Sequence, residues 1–513
     1  MVILVLAALC GVTASAQPGD EQLCADQNGD GIVSPSDFTI WVQNFNAGSI
    51  LADVNGDGSV TPADFTSWVL AFNQGESGPV CSPVVAGGER FVGAIDFEGD
   101  VDTYRIQALA GDSLLIVADE LVDGSPLGVR VEVAAPDGGV IASDVSGLGV
   151  RVDEFDLPAS GTYRIVVSDN NDLRTGGYAL SIVRISPDTI NIGSVTLPNG
   201  VTVDGEFVTG DIDVYTVDVG LGGTLLVAID ETVDVPLELA VDVFGPDGSR
   251  EGNSVVRFGT AFKFLEVDAP GRYTIVVRDD NGSRNGAYRL TAAVLDGAAG
   301  GAFDNLESGE TVSDQIDTGD IDVYEIEVAH GGALLVTAGE TEEAPLQLRL
   351  SIYNAAGERL RTSLSGAGTQ ANVIPVPGPG VYRVVVRDGN GFREGPYALT
   401  AVAVDSVPDS FDALPLAAGV AAAGRIDAGD IDTFTFTAAA GDPISVTASE
   451  IGDEPLLIRL LLFAPDGGLL VSRVIGSTVS ISVPSAPQAG QYTAVVRDDA
   501  GSAEGDYEIV LAP

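Results

Sequence analysis

One short motif, Gly-Asp-x-Asp-x-aromatic, occurs four times and sets the plan of most of the chain. It stands at Gly99–Tyr104, Gly210–Tyr215, Gly319–Tyr324 and Gly429–Phe434, so its aromatic residues fall 109–111 residues apart. A Gly-x-Tyr before an apolar run keeps that spacing at Tyr163, Tyr273, Tyr382 and Tyr492, and a third anchor keeps it at Tyr178, Tyr288, Tyr397 and Tyr507. A period this long predicts independent domains rather than solenoid turns. Leu114-Leu115-Ile116-Val117, Arg130–Val133, Tyr163–Val167 and Tyr178–Val183 are short β-forming runs parted by Gly, Pro, Asn and Asp. Pro136-Asp137-Gly138 reads as a hairpin turn, and no helical stripe interrupts the runs. Seven to nine short strands in about 110 residues predict a β-sandwich.

These repeats resemble the bacterial pre-peptidase C-terminal (PPC) domain family over roughly residues 86 to 513. The resemblance rests on GDVDTY, LLIVADE, the PDG turn, GTYRIVVSD and GGYAL, and on their counterparts in each copy. It implies four jelly-roll-like sandwiches, at 86–185, 186–297, 298–404 and 405–513. Such domains are appended to secreted proteases and other extracellular proteins, and relatives in collagenases bind polymer and hold calcium.

A second duplication lies nearer the start. Asp26-Gln27-Asn28-Gly29-Asp30-Gly31-Ile32-Val33-Ser34-Pro35-Ser36-Asp37 and Asp53-Val54-Asn55-Gly56-Asp57-Gly58-Ser59-Val60-Thr61-Pro62-Ala63-Asp64 both place oxygen ligands at positions 1, 3, 5, 7, 9 and 12, with Gly at 6. Calcium wants six to eight hard oxygens, and Gly31 and Gly58 permit the turn that aims them at one ion. Ile32 and Ser59, at position 7, contribute backbone carbonyls. Each loop then runs into a helix. Ser34 and Thr61 are the predicted N-caps, Pro35 and Pro62 the first helical residues, and Asp37 and Asp64 sit at N3. Phe38, Trp41, Val42 and Phe45 form a stripe that Phe65, Trp68, Val69 and Phe72 repeat, and both are predicted to pack as core.

No segment before either loop has the length of an entering helix. Two loop–exit-helix units in about sixty residues resemble the dockerin family, and Asp at position 12 fits that resemblance. Carried over by position, Asp26, Asn28, Asp30, Ser34 and Asp37 bind one calcium, and Asp53, Asn55, Asp57, Thr61 and Asp64 the other. The family implies a cohesin module as partner and attachment to polysaccharide-degrading scaffolds. Pro35-Ser36 and Pro62-Ala63, at the loop positions that help choose the cohesin, depart from the usual pattern, as do the tryptophans and flanking cysteines.

Met1–Ala16 is an apolar run ending Ala14-Ser15-Ala16, which reads as a secretory signal, although no Lys or Arg precedes it. Residues 17–23 read as a linker and 24–81 as the small α-helical calcium module. Secretion leaves Cys24 and Cys81 bracketing that module; an oxidising compartment favours a disulfide between them, with two free thiols the alternative. The formal charge of −51 rules out nucleic acid as a natural partner, argues against anionic membrane surfaces and favours a cation-rich medium.

The repeats carry further carboxylates: Asp100 and Asp102, with counterparts Asp211 and Asp213, Asp320 and Asp322, and Asp430 and Asp432. Asp169, Asp279, Asp388 and Asp498 end a later strand. They read either as further calcium ligands or as turn and edge residues. His330 is the single histidine and falls in a turn, so histidine-based catalysis and zinc sites have no basis. The expectation is a secreted, non-catalytic, calcium-dependent attachment protein. The competing reading is an accessory or hydrolytic component of an extracellular polysaccharide- or protein-degrading complex, with a carboxylate pair as its site.

Overall fold

The computed structural model describes residues 34–46, 52, 54, 60–74, 84–85, 88–122, 126–145, 149–187, 194–232, 237–257, 261–267, 269–280, 282–296, 303–342, 346–364, 368–389, 393–405, 413–452 and 456–513. Among the described residues, two helices, α1 (Pro35–Asn46) and α2 (Pro62–Gln74), precede strands and their connections. Both begin at proline, whose missing N–H costs nothing at a first helical position.

Nine strands follow: β1 (Val84–Val85), β2 (Glu89–Ile95), β3 (Val101–Ala108), β4 (Ser113–Glu120), β5 (Val129–Ala134), β6 (Val140–Val145), β7 (Val150–Glu154), β8 (Gly161–Asp169) and β9 (Gly176–Ile185). They form a five-stranded sheet in the order β1-β3-β8-β5-β6 and a four-stranded sheet in the order β2-β9-β4-β7. β1 runs parallel to β3, with Val84 opposite Arg105; the other pairings are antiparallel. Leu114, Ile116, Val131, Val133, Ile165 and Leu180 fill the space between the sheets. The Pro136-Asp137-Gly138 turn joins β5 to β6, closed by the Ala135 N–H to Gly139 O bond at 2.8 Å, with Gly138 at φ 87°. The same strand order returns over 195–296, 304–405 and 414–511.

The units are not independent beads, and that expectation needs correction. The outer face of each four-stranded sheet packs on the outer face of the next five-stranded sheet. At the first junction Leu115, Val117, Val183 and Ile185 meet Ile212, Val214, Phe244 and Val276. The second joins Leu226 and Leu295 to Ile321, Val323, Tyr353 and Val385. The third joins Leu335, Val402 and Val404 to Ile431, Leu461, Phe463 and Val495. The result is eight sheets in one stack, about 80 Å tall at roughly 10 Å per layer. A strand apolar on both faces is one covered on both faces, and β4, buried from Ser113 to Asp119, is such a strand.

Each junction has the same parts. A bulge precedes Phe244, Tyr353 and Phe463 and re-aims them into the preceding unit. Arg278, buried to 0% exposure, spans the first junction with 2.9 Å bonds to Asp153 and Asp242, and Arg151 pairs across it with Asp280. At the second junction the guanidinium of Arg387 lies 5.7 Å from the Phe264 ring centre instead. Gly210, Gly319 and Gly429 of the repeated motif stand where a Cβ would strike the previous unit, at Ala179, Asp230 and Ala398. The outer face of the last four-stranded sheet is more polar: Ser445 and Ser449 replace Leu335 and Gly339, and between them Thr447 shares a 2.8 Å bond with Ser480.

Candidate metal centre

Each helix of the small module is fastened to the end of its loop by a carboxylate. Asp37 Oδ2 accepts from the Ser34 N–H at 2.8 Å and from Ser34 Oγ at 2.8 Å. Asp64 Oδ2 accepts from the Thr61 N–H at 2.7 Å and, more weakly, from Thr61 Oγ1 at 3.4 Å. These supply one half of a capping box, the N3 carboxylate taking the N-cap N–H, while the Asp37 and Asp64 N–H groups donate to the Ser34 and Thr61 carbonyls at 3.1 Å. Both carboxylates are fully buried.

The aromatic stripes face one another across the two helices. The rings of Phe38 and Trp68 are 4.8 Å apart, and those of Trp41 and Phe65 are 5.7 Å apart. Trp41 and Trp68 are buried with Ala52 and Val54, and Phe38, Val42, Phe45, Val60 and Val69 pack against them. The Trp41 indole N–H donates to Ala52 O at 2.9 Å, tying α1 to the residue before the second loop. Phe65 and Phe72 depart from the expected core role: each leaves about two-fifths of its surface exposed.

Ser34, Asp37, Thr61 and Asp64 are thus placed at positions 9 and 12 of their loops. Asp26, Asn28, Asp30, Ile32, Asp53, Asn55, Asp57 and Ser59 lie outside the described residues, as do Cys24 and Cys81. Residues 24–81 hold seven acids and no Lys, Arg or His. Two fully buried carboxylates thus sit in a segment whose sequence holds no basic side chain, a setting that suits an oxygen-seeking cation.

Residues 24–67 match the dockerin type I domain family. The match ends within α2, and dockerin domains bind calcium and dock on cohesin modules. No curated protein matches the chain. Among solved structures, the pre-peptidase C-terminal domain of a Bacillus anthracis collagenase is 17% identical, covering 19% of this chain and 92% of its own, at a TM-score of 0.17. The arabinofuranosyltransferase AftD from Mycobacteria is 12% identical over 79% of this chain and 39% of its own, TM-score 0.17. A Sulfolobus turreted icosahedral virus structure is 9% identical over 65% and 85%, TM-score 0.17. At TM-scores this low the likenesses carry nothing about function.

The sandwich carboxylates have internal partners. Asp169 takes N–H groups from Gly128, Asn171, Leu173 and Arg174; burial alone would raise its carboxyl, but these donors hold it below the usual range. Asp279 and Asp498 anchor the same turn in their units, and Asp388 accepts from the Gln347 N–H at 2.8 Å. Asp100 accepts from the Asp96 and Val101 N–H groups. Its counterparts Asp320 and Asp430 accept from Thr202 and Thr311 of the preceding unit, at 2.7 and 3.2 Å.

The second motif aspartate faces inward. Tyr178 donates to Asp102 at 2.6 Å and shares a 2.8 Å bond with Tyr104. Tyr288 and Tyr397 repeat this with Asp213 and Asp322, and Tyr507 bonds Asp432 where Phe434 has no hydroxyl. Burial, with Asp211 close by, pushes Asp213 up to about 7. Burial likewise pushes Asp432 up to about 6, and Asp322 well above its ordinary value. The tyrosines of the Gly-x-Tyr anchor close corners, as Tyr163 donates to Ala159 O at 2.7 Å and Tyr492 to Gln488 O at 2.6 Å. Among the described residues no three His, Cys, Asp or Glu side chains are grouped to hold a metal ion.

His330 is exposed in the turn between 322–328 and 332–340. A surface depression of 380 Å³ is lined by Asn354, Ala355, Ala356, Pro377, Gly378, Pro379 and Tyr382, without an acid. Sequence reasoning missed the junction residues. Their signal was present: V-V-R-D in the last three units, at Arg278, Arg387 and Arg497, against V-V-S-D at Ser168 in the first.

Proposed function

We propose that this chain is a secreted, non-catalytic attachment protein: a calcium-loaded dockerin-like module docks on a cohesin-like partner, and a rod of four PPC-like sandwiches is carried with it. The observation behind this reading is the dockerin match at 24–67, together with buried Asp37 and Asp64 in a segment lacking any basic residue. The raised carboxylates favour a structural role for the repeats, because they recur in units two, three and four on the same tyrosine contact. The face-to-face stack favours a stiff spacer over a flexible tether. Among the described residues no helix is long and apolar enough to cross a membrane.

The test is capture from an extracellular extract with the intact protein, in calcium and in chelator. A partner retained in calcium, released by chelator and lost in the double variant Asp30→Ala/Asp57→Ala supports the reading. Capture that ignores both chelator and variant, or hydrolysis of protein or polysaccharide abolished by one acid substitution in a sandwich, refutes it.

A further inference from the structure

Every junction in the stack buries an arginine, and at two of the three a carboxylate is built in beside it. At the first, Arg278 bonds Asp153 and Asp242 at 2.9 Å, and Asp280 takes Arg151. At the third, Arg459 stands directly opposite Arg497, and Asp499 pairs with Arg459. The second junction keeps the arginines and loses those acids. Strand register puts Phe264 and Ser351 where the first junction has Asp153 and Asp242. Gly389 follows Asp388 where Asp280 and Asp499 follow Asp279 and Asp498. Arg349, in the place of Ala240, faces Arg387 directly across the strand pair. Like charges so placed repel.

These side chains converge. The guanidiniums of Arg359 and Arg387 lie 5.2 and 5.7 Å from the centre of one ring, that of Phe264 in the preceding unit. Tyr353 is 0% exposed, and its hydroxyl completes no hydrogen bond, although Arg359 and Ser351 are close by. The Nε of Arg349 is also buried without an acceptor, and Arg349 forms no ion pair among the described residues. Arg387 Nη1 donates to the Asp388 carbonyl at 2.8 Å, while the Asp388 carboxylate accepts from the Gln347 N–H. Burial first, then Arg349, pushes Arg387 down to about 10. Arg359 is exposed and Arg349 half-buried, so the cluster opens to solvent at the edge of the junction. In a chain of net charge −51, three arginines around one buried hydroxyl invert the local sign. Buried donors left unmade are costly, and an acceptor from outside relieves them.

We propose that the second junction binds one small inorganic oxyanion, of the sulfate class, held by Arg349, Arg387 and the Tyr353 hydroxyl, with Arg359 at its mouth. Guanidinium forks and a phenol offer several directed N–H and O–H donors, which match an anion with several oxygens better than a halide. The anion does at this junction what Asp153 and Asp242 do at the first: it neutralises the buried arginine and fastens the second unit to the third. The middle of the stack is thereby anion-dependent, and its two neighbours are not.

The test is calorimetric titration of sodium sulfate into the intact protein at constant ionic strength. The expected result is one site per chain, weakened at least about tenfold by Arg349→Gln and by Tyr353→Phe. The second variant keeps the ring, and so the packing, should the first fold poorly. Gly389→Asp restores the acid of Asp280 and Asp499 and should abolish binding. Arg459→Gln, at the third junction, should leave it unchanged. A parent that takes up no sulfate overturns the proposal. So does equal affinity in the parent, Arg349→Gln, Tyr353→Phe and Gly389→Asp, which is what a general salt effect gives. Chloride that displaces sulfate at equal concentration overturns the assignment to an oxyanion.

Discussion

Replacing Phe244 by alanine tests whether the eight sheets behave as one body. Phe244 is fully buried at the first junction, against Leu115, Val117, Val183 and Ile185 of the preceding unit, and its ring centre lies 6.2 Å from that of Phe155. A phenylalanine buries roughly 150–250 Å², and truncating a buried one costs about 3–5 kcal/mol. The bulge before Phe244 fixes the backbone there, which limits collapse into the cavity. Urea unfolding followed by far-ultraviolet circular dichroism, at constant calcium, measures the loss. The expected result is destabilisation of about 3–5 kcal/mol, with a smaller slope or a second transition as the first unit uncouples. Val255→Ala, at an exposed site, should stay within about 0.5 kcal/mol. A change below about 1 kcal/mol with an unaltered slope would refute a packed junction and restore four independent beads.

Acidity should act through the inward aspartates. Burial first, then Asp430, pushes Asp432 up to about 6, so the folded protein holds that proton more tightly than the unfolded chain does. Its contribution to stability is complete below about pH 4 and is lost as pH rises through about 6, on the order of 3 kcal/mol. Asp432→Asn should therefore match the parent's thermal midpoint near pH 4 and exceed it near pH 8; a pH-independent difference would contradict this. Non-reducing peptide mapping should recover Cys24 and Cys81 in one disulfide-linked pair, and two free thiols would remove the bridge.

The sandwich and the capped helices were legible because each rests on short-range rules. Period-2 runs and the Pro136-Asp137-Gly138 turn place strands, and Ser34-Pro35 with Asp37 places a helix start. Asp102 and Asp169 were visible as recurring acids but not as acceptors from Tyr178 and from a turn. Those partners lie 76 and at most 41 residues away, and sequence spacing carries no such pairing. The stack was hidden for a different reason. Leu114-Leu115-Ile116-Val117 is apolar on both faces, which marks a doubly covered strand, but only the alignment of V-V-R-D against V-V-S-D says what does the covering. Phe65 and Phe72 fit the helical stripe yet stay exposed, because two short helices do not surround both ends of it.

Calcium dependence of the module is the central claim, and the intact protein reports on it directly. Its two tryptophans, Trp41 and Trp68, both lie between the helices, so indole fluorescence follows the module alone. Thermal unfolding read by that signal should shift upward with added calcium, by about 2.7 kcal/mol per site at one hundred times the dissociation constant. Asp30→Ala or Asp57→Ala should lower the midpoint in calcium and matter little in chelator. A midpoint that does not move with calcium, or an equally stable metal-free module, would contradict a calcium-dependent docking domain.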